Sequence, residues 1–173
     1  MPRMSREKGA RAELEVAALL EQWWRFHNSL VVFKRTPLSG GWSGAPEFGV
    51  NGDLVCNDPN FPFAVEVKRR ENWNQRRMVE GKASPVWGWW KQACRAASAM
   101  QQEPMLWIRQ QRCEWIVVVG AAYMLRATRE EACWFWLPDG PAVPLLEVRP
   151  ACVYADKFLR TFPGCWIAAC SKA

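Results

Sequence analysis

The stretch Gly52-Asp53-Leu54-Val55-Cys56, the turn Asn57-Asp58-Pro59-Asn60 and the run Phe63-Ala64-Val65-Glu66-Val67-Lys68 decide how this chain is read. Two apolar runs flanking a cluster of turn formers predict an antiparallel β-hairpin. Side chains alternate along a strand, so Phe63, Val65 and Val67 share one face while Ala64, Glu66 and Lys68 share the other. The polar face carries the chemistry. Carboxylates on adjacent strands, here Asp53 and Glu66, can share a hard cation such as Mg2+. Such a cation polarises a phosphodiester and lowers the pKa of water, while the ammonium of Lys68 orients that water and offsets developing negative charge. Hydrolysis of a phosphodiester accounts for all three residue types.

Working outward toward the amino terminus, Ser5 to about Phe26 reads as a helix capped by Ser5 and rich in Ala, Leu and Glu. Its apolar stripe is Val16, Ala17, Leu20 and Trp24. One turn before the stripe stands Glu13, which places a carboxylate on the inward face, with Glu15 and Glu21 largely outward. A buried carboxylate is costly unless paired, so Glu13 calls for a cation or a strong donor nearby. Leu30 to Lys34 (LVVFK) is predicted to be a short strand. The following RTPLSGGWSGAPEFGVNG, dense in Gly, Pro and Ser, is read as a mobile loop that orders over a ligand.

Beyond the hairpin, Arg69 to Lys82 is basic and polar, a loop or loose helix. Val86 to Gln101 reads as a helix, and Pro104 to Ile108 and Trp115 to Val119 as strands joined by a polar turn. Further on, Met124 to Ala132 reads as a short helix among proline-broken aromatic runs. This order implies an α/β chain, a mixed central β-sheet flanked by helices. With 173 residues and no internal repeat, one domain is expected over 1–173, its core about 5–119 and a C-terminal extension about 120–173.

Net charge is +6, and its distribution is informative: up to Arg95 there are 15 Lys or Arg against 10 Asp or Glu, and beyond it 8 against 7. The surface that meets an anion is thus expected in the first part, and phosphate backbones are the obvious partner. No run approaches the roughly 18 apolar residues of a membrane span, and the basic MPRMSREKGAR start has no apolar segment of a signal peptide. An intracellular, cytoplasmic and reducing setting is expected. The 7 cysteines are odd in number and form no CxxC pair, which suits buried reduced thiols. Cys133, Cys152, Cys165 and Cys170 match no common zinc spacing, and the single histidine, His27, is far from them and read as structural.

Glycine-preceded aspartate, short hairpin, ExK within an apolar strand and an inward glutamate on the preceding helix together resemble the PD-(D/E)XK nuclease superfamily. Within it, the chain resembles the archaeal-type Holliday junction resolvases (Hjc), over roughly Ser5 to Val119. The resemblance implies a restriction-endonuclease-like fold and a divalent-metal-dependent endonuclease of branched DNA, acting as a homodimer with Mg2+ or Mn2+. In SREKGARAELEVAALL it assigns Arg6 and Glu13, and in RTPLSGGWSG it assigns Ser39 as the loop serine. GDLV and VEVK supply Asp53, Glu66 and Lys68, and WGWWKQACRAA supplies Gln92 as a secondary candidate. Metal ligation falls to Asp53, Glu66, Val67 and Glu13. Gly52 stands where the family usually has proline, and no counterpart is found for the tail from Tyr123.

DNA contact is assigned to Arg6, Lys8, Arg11, Lys34, Arg35, Arg69, Arg70, Arg76 and Arg77, the last four being placed directly after the ExK strand to grip phosphates. Of the 12 tryptophans, Trp23, Trp24, Trp107 and Trp115 sit in apolar elements and are read as core. Trp42 and Trp73 lie in polar segments and are candidates for stacking on exposed bases, while Trp87-Gly88-Trp89-Trp90 is a candidate for a subunit interface. Three functions stay open at this point: a junction resolvase, another endonuclease of the superfamily acting on duplex or flapped DNA, and a catalytically silent DNA-binding module.

Overall fold

The computed structural model describes residues 3–36, 52–80, 82, 84–120, 134–136 and 150–161. Their element order is α1 (Arg3–Trp24), β1 (Phe33–Arg35), β2 (Leu54–Cys56), β3 (Phe63–Arg70), α2 (Gln75–Val79), α3 (Val86–Met100), β4 (Glu103–Gln110), β5 (Ile116–Gly120), β6 (Trp134–Trp136), β7 (Pro150–Tyr154) and α4 (Ala155–Thr161). The strands form one sheet in the order β1-β2-β3-β4-β5-β7-β6. β3 and β4 run parallel, with Glu66 beside Leu106 and Lys68 beside Ile108, and the other pairings are antiparallel. A parallel pair requires a crossover, and α2 and α3 supply it. The architecture is therefore the mixed sheet with flanking helices that the sequence implies.

Both faces of the sheet are covered, which is why its central strands read as unbroken apolar runs. Period-two alternation sorts them between two cores: Phe63, Val65, Val67, Met105, Trp107, Val117 and Val119 pack with α1 and α4, while Leu106, Ile108, Ile116 and Val118 pack with α3. The helical stripe Val16, Ala17, Leu20 and Trp24 is buried as expected, and Trp23, Trp107 and Trp115 are core as well. The first strand begins three residues later than the LVVFK run suggested, at Phe33, because Leu30 and Val32 remain exposed. The extension beyond residue 120 contributes to the sheet interior: Ala151, Cys152 and Val153 of β7 are fully buried against β5.

Glu15 and Glu21, placed largely outward by helical phase, are half-buried. Glu15 accepts from Arg109 Nη1 and Nη2 at 2.7 and 2.6 Å and from Trp115 Nε1 at 3.0 Å, and Glu21 accepts from the Phe33 backbone at 2.8 Å. The physical reason is that β1 on one flank of α1, and the β4–β5 turn with α4 on the other, build walls beside the helix. Cys56, Cys94, Cys113 and Cys152 carry free thiols. Burial pushes the Cys56 thiol up to about 11 and the Cys94 thiol up to about 12, and raises that of Cys152, so these three are poor nucleophiles. Among the described residues no helix is long and apolar enough to cross a membrane. The loop over 37–51 and the helix read at Met124–Ala132 lie outside the described residues, as do Ser39 and Trp42.

Candidate active site

The expected β2–β3 antiparallel hairpin forms, with Leu54 opposite Val65. At Asp53 the ladder changes character. The Asp53 backbone N–H still donates to Val65 O at 2.8 Å, but the next donor on β3, the Val67 N–H, is taken by the Asp53 side chain, Oδ2 accepting at 2.7 Å. A carboxylate thus replaces a backbone carbonyl in the ladder and is aimed along the edge of β3. Gly52 makes this possible: its φ is +111°, and a Cβ there would stand 2.8 Å from Val65 O. Only glycine reaches that backbone region without strain.

Asp53 and Glu66 are both buried, at 8% and 4% exposure. Glu66 Oε1 is held by the Lys68 ammonium from two residues along β3 and by Gln92 Nε2 of α3 at 2.7 Å. The Lys68 Nζ also lies 3.9 Å from Asp53 Oδ2, so one cation is shared by two carboxylates. Burial, and then the charge of Glu66, push the Asp53 carboxyl up to about 7, with Lys68 and the Val67 N–H pulling against them and Glu13 adding to the rise. Negative charge is in excess at this point of the molecule.

Glu13 arrives from the α1 face, 8% exposed, where its Oε2 accepts from Arg35 Nε at 2.6 Å. The donor that its burial called for is therefore Arg35, which had been assigned to DNA. The signal was available: Arg35 follows Phe33 by two, so both point toward α1. Lys68 stands between Asp53 and Glu66 and Arg35 holds Glu13; among the described residues no three Asp, Glu, His or Cys groups are gathered as ligands of one ion. The donor set nevertheless suits a cation of the Mg2+ class, which commonly takes one or two carboxylates and keeps its waters. Asp53 and Glu66 offer hard oxygens with surplus negative charge, and Val67 can contribute only through its backbone carbonyl.

The basic candidates scatter more widely. Arg11, Lys34, Arg70, Arg76 and Arg77 are exposed and Arg69 is half-buried. Lys8 is exposed but paired with Glu71 at 2.7 Å, and Arg76 pairs with Glu80 at 2.9 Å. Arg6 lies in α1, with its side chain outside the described residues. Trp73 requires a correction: at 8% exposure it is packed in the α3 core, edge-on to Trp89 with ring centroids 5.3 Å apart, so neither ring face is open to a base. Trp90 is likewise interior, with Trp87 and Trp89 packed partly against the same core. The cause is the crossover, which folds the polar segment back over the sheet. Sequence reading missed the clamp that achieves this: the Gln75 N–H donates to Gln110 Oε1 at 2.9 Å, the Gln110 N–H to Gln75 Oε1 at 3.0 Å, and Gln75 Nε2 to Glu114 O at 3.0 Å. Partners 35 residues apart leave no local signal.

Protein D14 of Escherichia phage T5 is 24% identical over 123 residues, which are 68% of this chain and 72% of that protein. Among solved structures, the 1.6 Å structure of Archaeoglobus fulgidus Hjc, a Holliday junction resolvase from an archaeal hyperthermophile, aligns over 92% of this chain and 99% of that one, at 13% identity and a TM-score of 0.41. The family described as "Phage putative PDDEXK endonuclease" matches residues 4–134, a span that holds Glu13, Asp53, Glu66, Lys68 and Gln92, and the chain belongs to that family.

Proposed function

We propose that this chain is a structure-selective DNA endonuclease, dependent on Mg2+ or Mn2+, that resolves four-way (Holliday) junctions in recombination and repair by paired symmetric nicks. Family membership carries the coarser part: a nuclease that hydrolyses DNA phosphodiesters, in a superfamily that uses divalent metal ions. The observation that supports the reading best is the placement of Lys68 against both Glu66 and Asp53 on one face of the hairpin. Junction preference rests on the likeness of the helix, loop and hairpin motifs to those of the archaeal-type resolvases.

Asp53, Glu66, Val67 and Glu13 are the residues that would hold or surround the ion. When bound, a divalent cation supplies Lewis-acid polarisation of the phosphodiester and a lowered pKa for water. This chain's own groups do the rest. Lys68, held by Glu66 and near Asp53, would offer a proton donor to the reacting oxygen and offset charge building on the phosphate. Gln92 keeps the Glu66 carboxylate from turning away, and Arg35 holds Glu13. Exposed Arg70 and Arg77, with Arg69 and Arg76, offer a basic platform just past the ExK strand for the flanking backbone.

The test is nicking of a labelled four-way junction against matched linear duplex, with and without Mg2+. Asp53→Ala and Glu66→Ala are expected to abolish cleavage, because each removes a ligand oxygen, while binding to the junction persists through the arginines. Full nicking by either variant would exclude these carboxylates. Equal cutting of linear duplex would leave an endonuclease without junction selectivity.

A further inference from the structure

The ladder between β1 and β2 extends one residue past the strands. The Thr36 N–H donates to Asp53 O at 3.0 Å, continuing the register Phe33↔Cys56, Lys34↔Val55, Arg35↔Leu54 so that Thr36 stands opposite Asp53. Alternation fixes the faces. Phe33 and Leu54 belong to the core under α1, and Arg35, on the Phe33 side, reaches Glu13 of α1. Thr36 therefore points to the opposite face, where Glu66 and Lys68 stand with Gln92 of α3. Residues directly opposite in an antiparallel pair have Cβ atoms about 5 Å apart, which brings the Thr36 side chain beside the base of the Asp53 side chain, whose carboxylate leans toward β3.

That hydroxyl is anomalous. Thr36 Oγ1 is buried and has no hydrogen-bond partner among the described residues. Folded proteins leave few such atoms, because an unsatisfied buried hydroxyl costs about 1–3 kcal/mol, and those in polar surroundings commonly hold a water. Here the surroundings are an acidic centre suited to a hydrated cation. We propose that Thr36 is a positioning residue: its hydroxyl holds a water against Asp53 and, through that water, keeps the carboxylate turned toward a divalent ion. The proposal rests on the nuclease reading above. It concerns a hydroxyl three residues before Ser39 and is independent of it.

The experiment is calorimetric titration of the full chain with Mn2+, without DNA, for the wild type, Thr36→Val, Thr36→Ser and Asp53→Ala. Loss of a group that orients a ligand typically weakens metal affinity by about 10-fold or more, and that loss is expected for Thr36→Val, with Thr36→Ser restoring the affinity. A purely structural role predicts a lowered melting temperature. The proposal predicts little change for Thr36→Val, because a methyl of similar size replaces a hydroxyl that has no protein partner among the described residues. Should Thr36→Val lose its circular-dichroism signal, Thr36→Ala takes its place in the same titration. Wild-type affinity in Thr36→Val, or equal loss in Thr36→Ser, overturns the proposal. If the wild type itself binds no Mn2+, the metal-dependent reading of the centre falls, and this one with it. If Asp53→Ala loses the ion and Thr36→Val does not, only the role of Thr36 falls.

Discussion

Gly52 carries more of the site than its absent side chain suggests. Its positive φ lets the chain turn at the start of β2 so that the Asp53 carboxylate, not a carbonyl, meets the Val67 N–H. Alanine there would be strained twice, by φ and by a Cβ 2.8 Å from Val65 O. Gly52→Ala is expected to destabilise the fold by about 2 kcal/mol, within the usual range for a residue forced into such a conformation, and to cut nicking sharply because Asp53 is displaced. Urea unfolding beside a nicking assay checks both; unchanged activity would mean that the aim of Asp53 does not depend on this turn. The sequence showed a glycine where the family usually has proline. The reason for it, a backbone oxygen contributed by Val65, became visible only in three dimensions.

At the scale of elements, the end of α1 and the hairpin turn are joined through one carboxylate. Asp58 Oδ2 accepts from Trp24 Nε1 at 2.9 Å and Asn28 Nδ2 at 3.3 Å, and Oδ1 accepts from the Asn60 backbone and amide at 2.9 and 3.1 Å. Burial alone would raise this carboxyl, but the donors, Trp24 foremost, hold it below its ordinary value. A group depressed in the folded state stabilises above its unfolded pKa, about 3.9 for Asp, and the contribution is lost as pH falls through the folded value. Asp58→Ala should therefore cost about 2–3 kcal/mol at neutral pH, leaving the Trp24 N–H buried and unpaired, and the gap to wild type should narrow below pH 4. Denaturant melts at pH 7 and pH 3 test this, and a gap that does not change with pH would refute it. Elements with their own period were legible from sequence: the stripe of α1, the alternation of β3, the turn formers between β2 and β3. Arrangements set by distant partners were not. Trp73 looked exposed because its neighbours are polar, and only the Gln75–Gln110 clamp, closing a crossover, reveals that it is covered. Glu15 looked outward until Arg109 and Trp115 arrived from 94 and 100 residues away.

For the whole molecule, the proposed resolvase activity would put one Asp53, Glu66 and Lys68 set per chain against a junction that needs a cut on each of two equivalent strands. A C2 dimer supplies two centres related by the symmetry of that substrate. A homodimer is expected by light scattering, and mixed dimers with one Asp53→Ala chain should nick a single strand and leave the junction joined. A monomer that cuts one strand only would remove the resolvase reading. The sheet order has a consequence of another kind. β5, with all five residues buried, lies between β4 and a β7 that is made some thirty residues later. Until β7 pairs with it, β5 has an apolar edge with unpaired amides and carbonyls, the kind of edge that recruits strands from other molecules. A fragment trimmed to the motif-bearing core at Val119 would carry that edge permanently. β7 thus covers an edge of β5 that such a fragment would leave open.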